Sequence, residues 1–237
     1  MFIKKVVGVT VYISIITLFV FGCMNIKSSV GNKNIEKYFH ENVDERYRIG
    51  VENYVFLIKN HQMELGCDDL TSDPMCMPLT TSTATGLVFS SDKNSLFVLT
   101  AAHFCKSYPI LGTSEIIYGV AKDQERPLYI LAMDEETDIC LLMGTKYNNE
   151  AFNQIKLELN VPSIGSDVYT VASPNGVAGE GLRPIFTGKF AGCNDINCMT
   201  TIPATFGSSG AGIYTSEGKL ITIVMAVTTG FENLVLS

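Results

Sequence analysis

Basic residues are in short supply in this chain of 237 residues: 17 Lys+Arg stand against 24 Asp+Glu, a formal net charge of −7. They are also scattered. With no stripe of positive charge to neutralise phosphates, no nucleic-acid partner is expected. Paired C-x-x-C ligands are missing, and His40 and His61 stand at no metal-ligand interval from any cysteine, so no metal site and no cofactor is expected. There is no internal repeat and no sustained helical periodicity. Charged residues make up only 17% while apolar residues reach 46%, which excludes disordered and collagen-like chains.

Long apolar runs are also scarce. One occupies residues 6–21, follows Lys4 and Lys5, and is shorter than the roughly 20 residues that cross a bilayer comfortably. That excludes a polytopic membrane protein and suits a signal peptide. Val20-Phe21-Gly22-Cys23 has the small residue before cysteine of a bacterial lipoprotein box, which makes Cys23 a candidate lipidation site. Phe21 is bulky for its place, so an uncleaved signal anchor and cleaved secretion stay open. Each outcome puts the remainder outside the cytoplasm, at the cell envelope or beyond it. Removing the first 22 residues takes two lysines away and deepens the charge from −7 to −9.

Six cysteines remain after Cys23, an even number for an oxidising space. Fifteen pairings are open; proximity favours Cys67–Cys76 and Cys193–Cys198, leaving Cys105–Cys140. Residues 24–50 are polar and read as a tether with a short helix around 35–46. The folded domain is expected from about Val51. Short β-type runs then recur at 54–58, 86–89, 96–100, 115–120, 128–133, 140–143, 168–172, 185–190, 212–214, 220–227 and 234–236. So many short strands imply an all-β barrel or sandwich. Residues 146–160, rich in Asn and Gln, look like a connection between two lobes.

Three segments carry chemistry. Leu99-Thr100-Ala101-Ala102-His103-Phe104-Cys105 runs an apolar strand into two alanines and a histidine. Asp134-Glu135-Glu136-Thr137-Asp138-Ile139-Cys140 places an acid at the border of another apolar strand. Phe206-Gly207-Ser208-Ser209-Gly210-Ala211-Gly212 brackets a serine with glycines, a loop able to aim N–H groups at one point. Alone, each has an ordinary structural explanation. Together they supply a hydroxyl nucleophile, a base, an orienting acid and oxyanion donors.

Thr100-Ala101-Ala102-His103, Thr137-Asp138-Ile139 and Gly207-Ser208-Ser209-Gly210 resemble the triad motifs of trypsin-like serine peptidases, closest in style to the bacterial HtrA-type peptidase domain. The stretch from Gly165 to Gly176, with its Pro174, resembles the strand and turn that open the second barrel of that group. The similarity spans about residues 51–237. It implies two six-stranded antiparallel β-barrels, about 51–145 and 161–237, with the active site between them. It further implies Ser209 as nucleophile, His103 as base and then acid, Asp138 as orienting carboxylate, and the N–H groups of Gly207 and Ser209 as oxyanion hole. Ala211 departs from the second glycine usual after the serine.

Finer expectations follow from the same resemblance. Arg48-Ile49-Gly50-Val51 looks like a zymogen cleavage site, yet Ser208 carries no charge to receive a new amino terminus, so no such activation is expected. Pro203 stands where the floor of the specificity pocket belongs, which disfavours Lys or Arg substrates. Thr205, Phe206, Met225 and Ala226 are candidates to line a small or apolar pocket. Ten residues follow Val227, too few for the PDZ domain of HtrA-type proteins. The expected partner is a protein or peptide substrate. The alternative function is a catalytically idle peptidase fold that binds a protein as a surface lipoprotein.

Overall fold

A computed structural model describes residues 43–63, 80–106, 113–147, 150–177, 182–194, 197–227 and 235–236. A 3-10 turn, Glu45–Tyr47, leads into helix α1, Arg48–Asn53. Six strands follow: β1 Tyr54–Met63, β2 Thr80–Ser91, β3 Ser95–Ala101, β4 Thr113–Ala121, β5 Gln124–Asp134 and β6 Ile139–Thr145. They close into an antiparallel barrel in the order β1-β2-β3-β6-β5-β4. The four-residue helix α2, Ala102–Cys105, leaves the end of β3. Period-2 alternation drives the closure. Leu96 and Val98 of β3 and Cys140 and Leu142 of β6 point inward and are buried, joining Val55, Leu57, Val88 and Leu128 in one core.

The second lobe contains β7 Asp167–Val171, β8 Ile185–Cys193, β9 Cys198–Thr200, β10 Gly212–Thr215, β11 Leu220–Ile223, β12 Ala226–Val227 and β13 Val235–Leu236. Their order is β11-β10-β7-β8-β9-β13-β12. This is a curled seven-stranded sheet, a half-barrel whose edges β11 and β12 do not pair among the described residues; the expected closed second barrel of six strands is corrected accordingly. Its concave face buries Val168, Ala172, Phe190, Ile202, Ala211, Ile213 and Val224. The single strand expected over 220–227 is broken at Val224, whose N–H donates to Ala211 C=O and whose C=O accepts from Gly210 N–H. Those groups serve the serine turn instead of a ladder.

The ordered fold also takes in residues 43–50, which polar composition assigns to the tether. Gly50 is wedged among Tyr169, Val171 and Tyr214, and Tyr47 packs edge-on against Tyr169, which stacks on Tyr214. Arg48 and Gly50 therefore lie in a packed helix; Arg48 pairs with Glu45 at 2.8 Å. Of the helix expected over 35–46, the part before Val43 lies outside the described residues. No helix among the described residues is long and apolar enough to cross a membrane.

The connection between the lobes is irregular, but it is firmly tied. The Asn53 amide donates to Val88 C=O and Asn153 C=O at 2.7 Å each, and its oxygen accepts from Asn153 N–H at 3.0 Å. Glu150 forms a two-pronged ion pair with Arg126, at 2.5 and 2.6 Å, with both side chains almost fully buried.

Candidate active site

The site starts from the register of two neighbouring strands. β3 and β6 pair Thr100 with Cys140 and Ala101 with Ile139, so the chain leaving β3 and the chain entering β6 sit side by side. Ala102 N–H donates to Asp138 C=O at 3.0 Å. His103 N–H donates to Asp138 Oδ1 and His103 Nδ1 meets Asp138 Oδ2, each at 2.8 Å. One carboxylate therefore holds both the backbone and the ring of His103. Its ionised form fixes the ring proton on Nδ1 and leaves the Nε2 lone pair for a reactant. Asp138 reaches this pose from a left-handed backbone, φ 52°, which aspartate adopts more readily than most residues.

The loop before Asp138 is set by Asp134, whose carboxylate accepts from the Thr137 hydroxyl at 2.8 Å and from Glu136 N–H at 3.0 Å. The disulfide Cys105–Cys140 then joins the far end of α2 to β6. A second brace comes from Lys59, which is buried on β1. Its ammonium donates to Lys106 C=O at 2.9 Å and lies 5.6 Å from the Phe104 ring centre. Burial pulls its pKa below the ordinary lysine value, against the raising influence of Glu115.

Ser209 sits on a turn whose peptides are all anchored. Ser208 N–H donates to Thr205 C=O, Ala211 N–H to Ser208 C=O and Gly210 N–H to Val224 C=O. Asn175 N–H donates to Phe206 C=O at 2.5 Å. In a trans peptide the N–H opposes the C=O. Pinning Phe206 C=O to Asn175 therefore turns the Gly207 N–H the other way, and pinning Ser208 C=O to Ala211 does the same for the Ser209 N–H. Gly207 has φ 87°, and a Cβ there would drive into Ser173 C=O. Only glycine fits.

The turn is docked on the first barrel. Thr85 N–H donates to Ser209 C=O at 2.9 Å, and the Thr85 hydroxyl donates to Gly207 C=O at 2.8 Å. A side chain at Gly210 would collide with Thr100, three residues before His103. His103 and Asp138 are thus in direct contact, with the Ser209 turn packed against β3, the strand that leads into the helix bearing the histidine. Among the described residues no hydrogen bond links the Ser209 hydroxyl to the His103 ring.

The other expected residues fall as follows. Phe206 stands 87% exposed beside Gly207; Pro203 is exposed, Thr205 half-buried, and Met225 packs on the core between the lobes. Ala226 begins β12. Cys193 and Cys198 are bonded across the β8–β9 connection. The pair Cys67–Cys76 and the candidate lipidation site Cys23 lie outside the described residues. The strand expected before Pro174 is β7, and Pro174–Gly176 forms a 3-10 turn. Sequence reasoning missed Thr85, Ser173 and Asn175. Thr85 is one threonine within a strand and Ser173 and Asn175 are turn formers after another, so the local signal is slight; their roles depend on partners up to 122 positions away.

No curated protein matches the chain. Solved structures do. A protease from M. tuberculosis in its active form is 14% identical, with a TM-score of 0.57 over 81% of this chain and 77% of that one. The serine endoprotease of Yersinia pestis is 17% identical, with a TM-score of 0.57 over 81% of this chain and 60% of that one. The HtrA-type protease AlgW, solved with a tripeptide, is 16% identical, with a TM-score of 0.59 over 82% and 59%. This chain therefore spans about three fifths of the latter two. Identities this low establish the shared fold. The sequence signature of the trypsin-like peptidase domain matches residues 84–223, more than half of the chain, and the chain belongs to that family.

Proposed function

We propose that the protein is a serine endopeptidase of the cell envelope, with Ser209, His103 and Asp138 as its triad. The observation that carries this reading is the two-point grip of Asp138 on His103, which leaves Nε2 as the basic nitrogen. In the proposed cycle, His103 Nε2 takes the Ser209 proton as Oγ attacks a peptide carbonyl. The oxyanion is received by the N–H groups of Gly207 and Ser209. His103 then hands its proton to the departing amine, leaving an acyl ester on Ser209 that water cleaves by the same steps in reverse. The lack of an acid at Pro203 and the exposed Phe206 favour apolar over basic substrate side chains. The apolar run at 6–21 and Cys23 support a membrane tether.

The test is labelling of the full-length protein in detergent with a fluorophosphonate probe, beside Ser209→Ala and His103→Ala. Labelling present in the native protein and abolished in both variants is the expected result. A folded native protein that does not label favours the idle-fold reading, to which the missing Ser209–His103 hydrogen bond would then belong.

A further inference from the structure

We infer that Thr85 is a positioning residue that sets the conformation of the proposed oxyanion loop from the opposite lobe; the inference rests on the peptidase reading above. Thr85 lies on β2, is fully buried, and directs each of its polar groups at the site. Its N–H holds Ser209 C=O. Its hydroxyl donates to Gly207 C=O and accepts from Ser173 N–H, at 2.8 and 2.9 Å. Its C=O accepts from the Thr100 hydroxyl at 2.8 Å, on the strand that ends in the His103 turn.

The hydroxyl matters most, because the Gly207 backbone has two handles. Asn175 holds the peptide before Gly207 and Thr85 holds the peptide after it. A glycine at φ 87° has no side chain to bias its rotation, so these two bonds decide where its N–H points. The Ser173 bond adds a coupling, since the same hydroxyl steadies the segment that supplies Asn175. Ser173 is held in turn by a hydrogen bond between its hydroxyl and that of Tyr54. Thr85 touches no reacting atom. It acts through Gly207.

The experiment compares full-length native protein with Thr85→Val and Thr85→Ser in steady-state peptide hydrolysis. Valine keeps the shape and the main-chain bond to Ser209 but lacks the hydroxyl; serine restores the hydroxyl. Oxyanion contacts strengthen only in the transition state, so kcat should fall while KM holds. The expected result is a kcat at least tenfold lower in Thr85→Val with KM within about threefold, and recovery to within about threefold in Thr85→Ser, given the roughly hundredfold cost of losing one oxyanion donor. Should Thr85→Val not fold, Thr85→Cys, with a weaker donor, should give an intermediate kcat. Native-like kcat in Thr85→Val or, in its absence, Thr85→Cys overturns the inference while leaving the peptidase reading intact, as does an equal loss in Thr85→Ser. An inert native protein overturns the peptidase reading and the inference with it.

Discussion

Removing Cys105–Cys140 should weaken the fold far more than removing Cys193–Cys198. The first bond spans 35 positions and the second spans 5. On the chain-entropy account, a cross-link restricts the unfolded chain in proportion to the logarithm of the loop it closes. That gives about 4 kcal/mol for Cys105–Cys140 and about 2 kcal/mol for Cys193–Cys198. Both Cys105 and Cys140 are buried, so their replacement by alanine pair for pair adds a small packing cost in the same direction. Urea unfolding of Cys105→Ala/Cys140→Ala beside Cys193→Ala/Cys198→Ala measures the gap, expected at about 2 kcal/mol. The β3–β6 ladder still aligns Ala101 with Ile139 without the bond, so the surviving fold should keep its strands while the His103 turn loosens. Peptide hydrolysis, if present, should then fall in the first variant and stay near native in the second. Equal destabilisation by the two pairs would refute the loop-length reasoning.

Glu150→Gln should cost about 3–5 kcal/mol in urea unfolding, because it strands the buried Arg126 guanidinium without its counter-charge. Replacing both partners at once, as Arg126→Met/Glu150→Leu, should cost much less; a near-neutral single variant would count against a buried pair. Lys59 makes a pH prediction. Its folded pKa lies below the unfolded 10.5, so the unfolded chain binds more protons between those two values and stability rises with pH there, the burial penalty being complete below the folded pKa. Measured against Lys59→Met, the native protein should therefore gain relative stability as the pH climbs through its folded pKa towards 10.5. A constant difference would show that the lysine keeps its ordinary pKa.

The strands were readable because alternation repeats every two residues, as at Leu96 and Val98 or Cys140 and Leu142. β9 has only three residues, Cys198–Thr200, too few to alternate. The break at Val224 could not be seen in an unbroken apolar run, since it comes from bonds to Gly210 and Ala211. The packing of residues 43–50 onto the domain is hidden in the sequence for a similar reason. Polar neighbours hide Tyr47, Ile49 and Gly50, whose partners Tyr169 and Tyr214 lie far along the chain. His103, Asp138 and Ser209 stand out as candidates because each sits in a compact motif, and the contact of His103 with Asp138 follows from the pairing of β3 with β6. Thr85 belongs to none, and only the docking of one lobe on the other reveals it.

The docking of the serine turn also sets an order of assembly. His103 and Asp138 meet within the first barrel, 35 positions apart. Gly207 and Ser209 lean on Thr85 across more than 120 positions, and Gly210 waits for Val224. Contacts over such separations form late, because the closure entropy of the long loop must be overcome first. A chain leaving the ribosome amino terminus first can complete the histidine–aspartate pair while the serine turn is still unmade. The molecule is then born with the histidine–aspartate pair alone, and the serine turn of the proposed site settles only once the chain has been made through Val224.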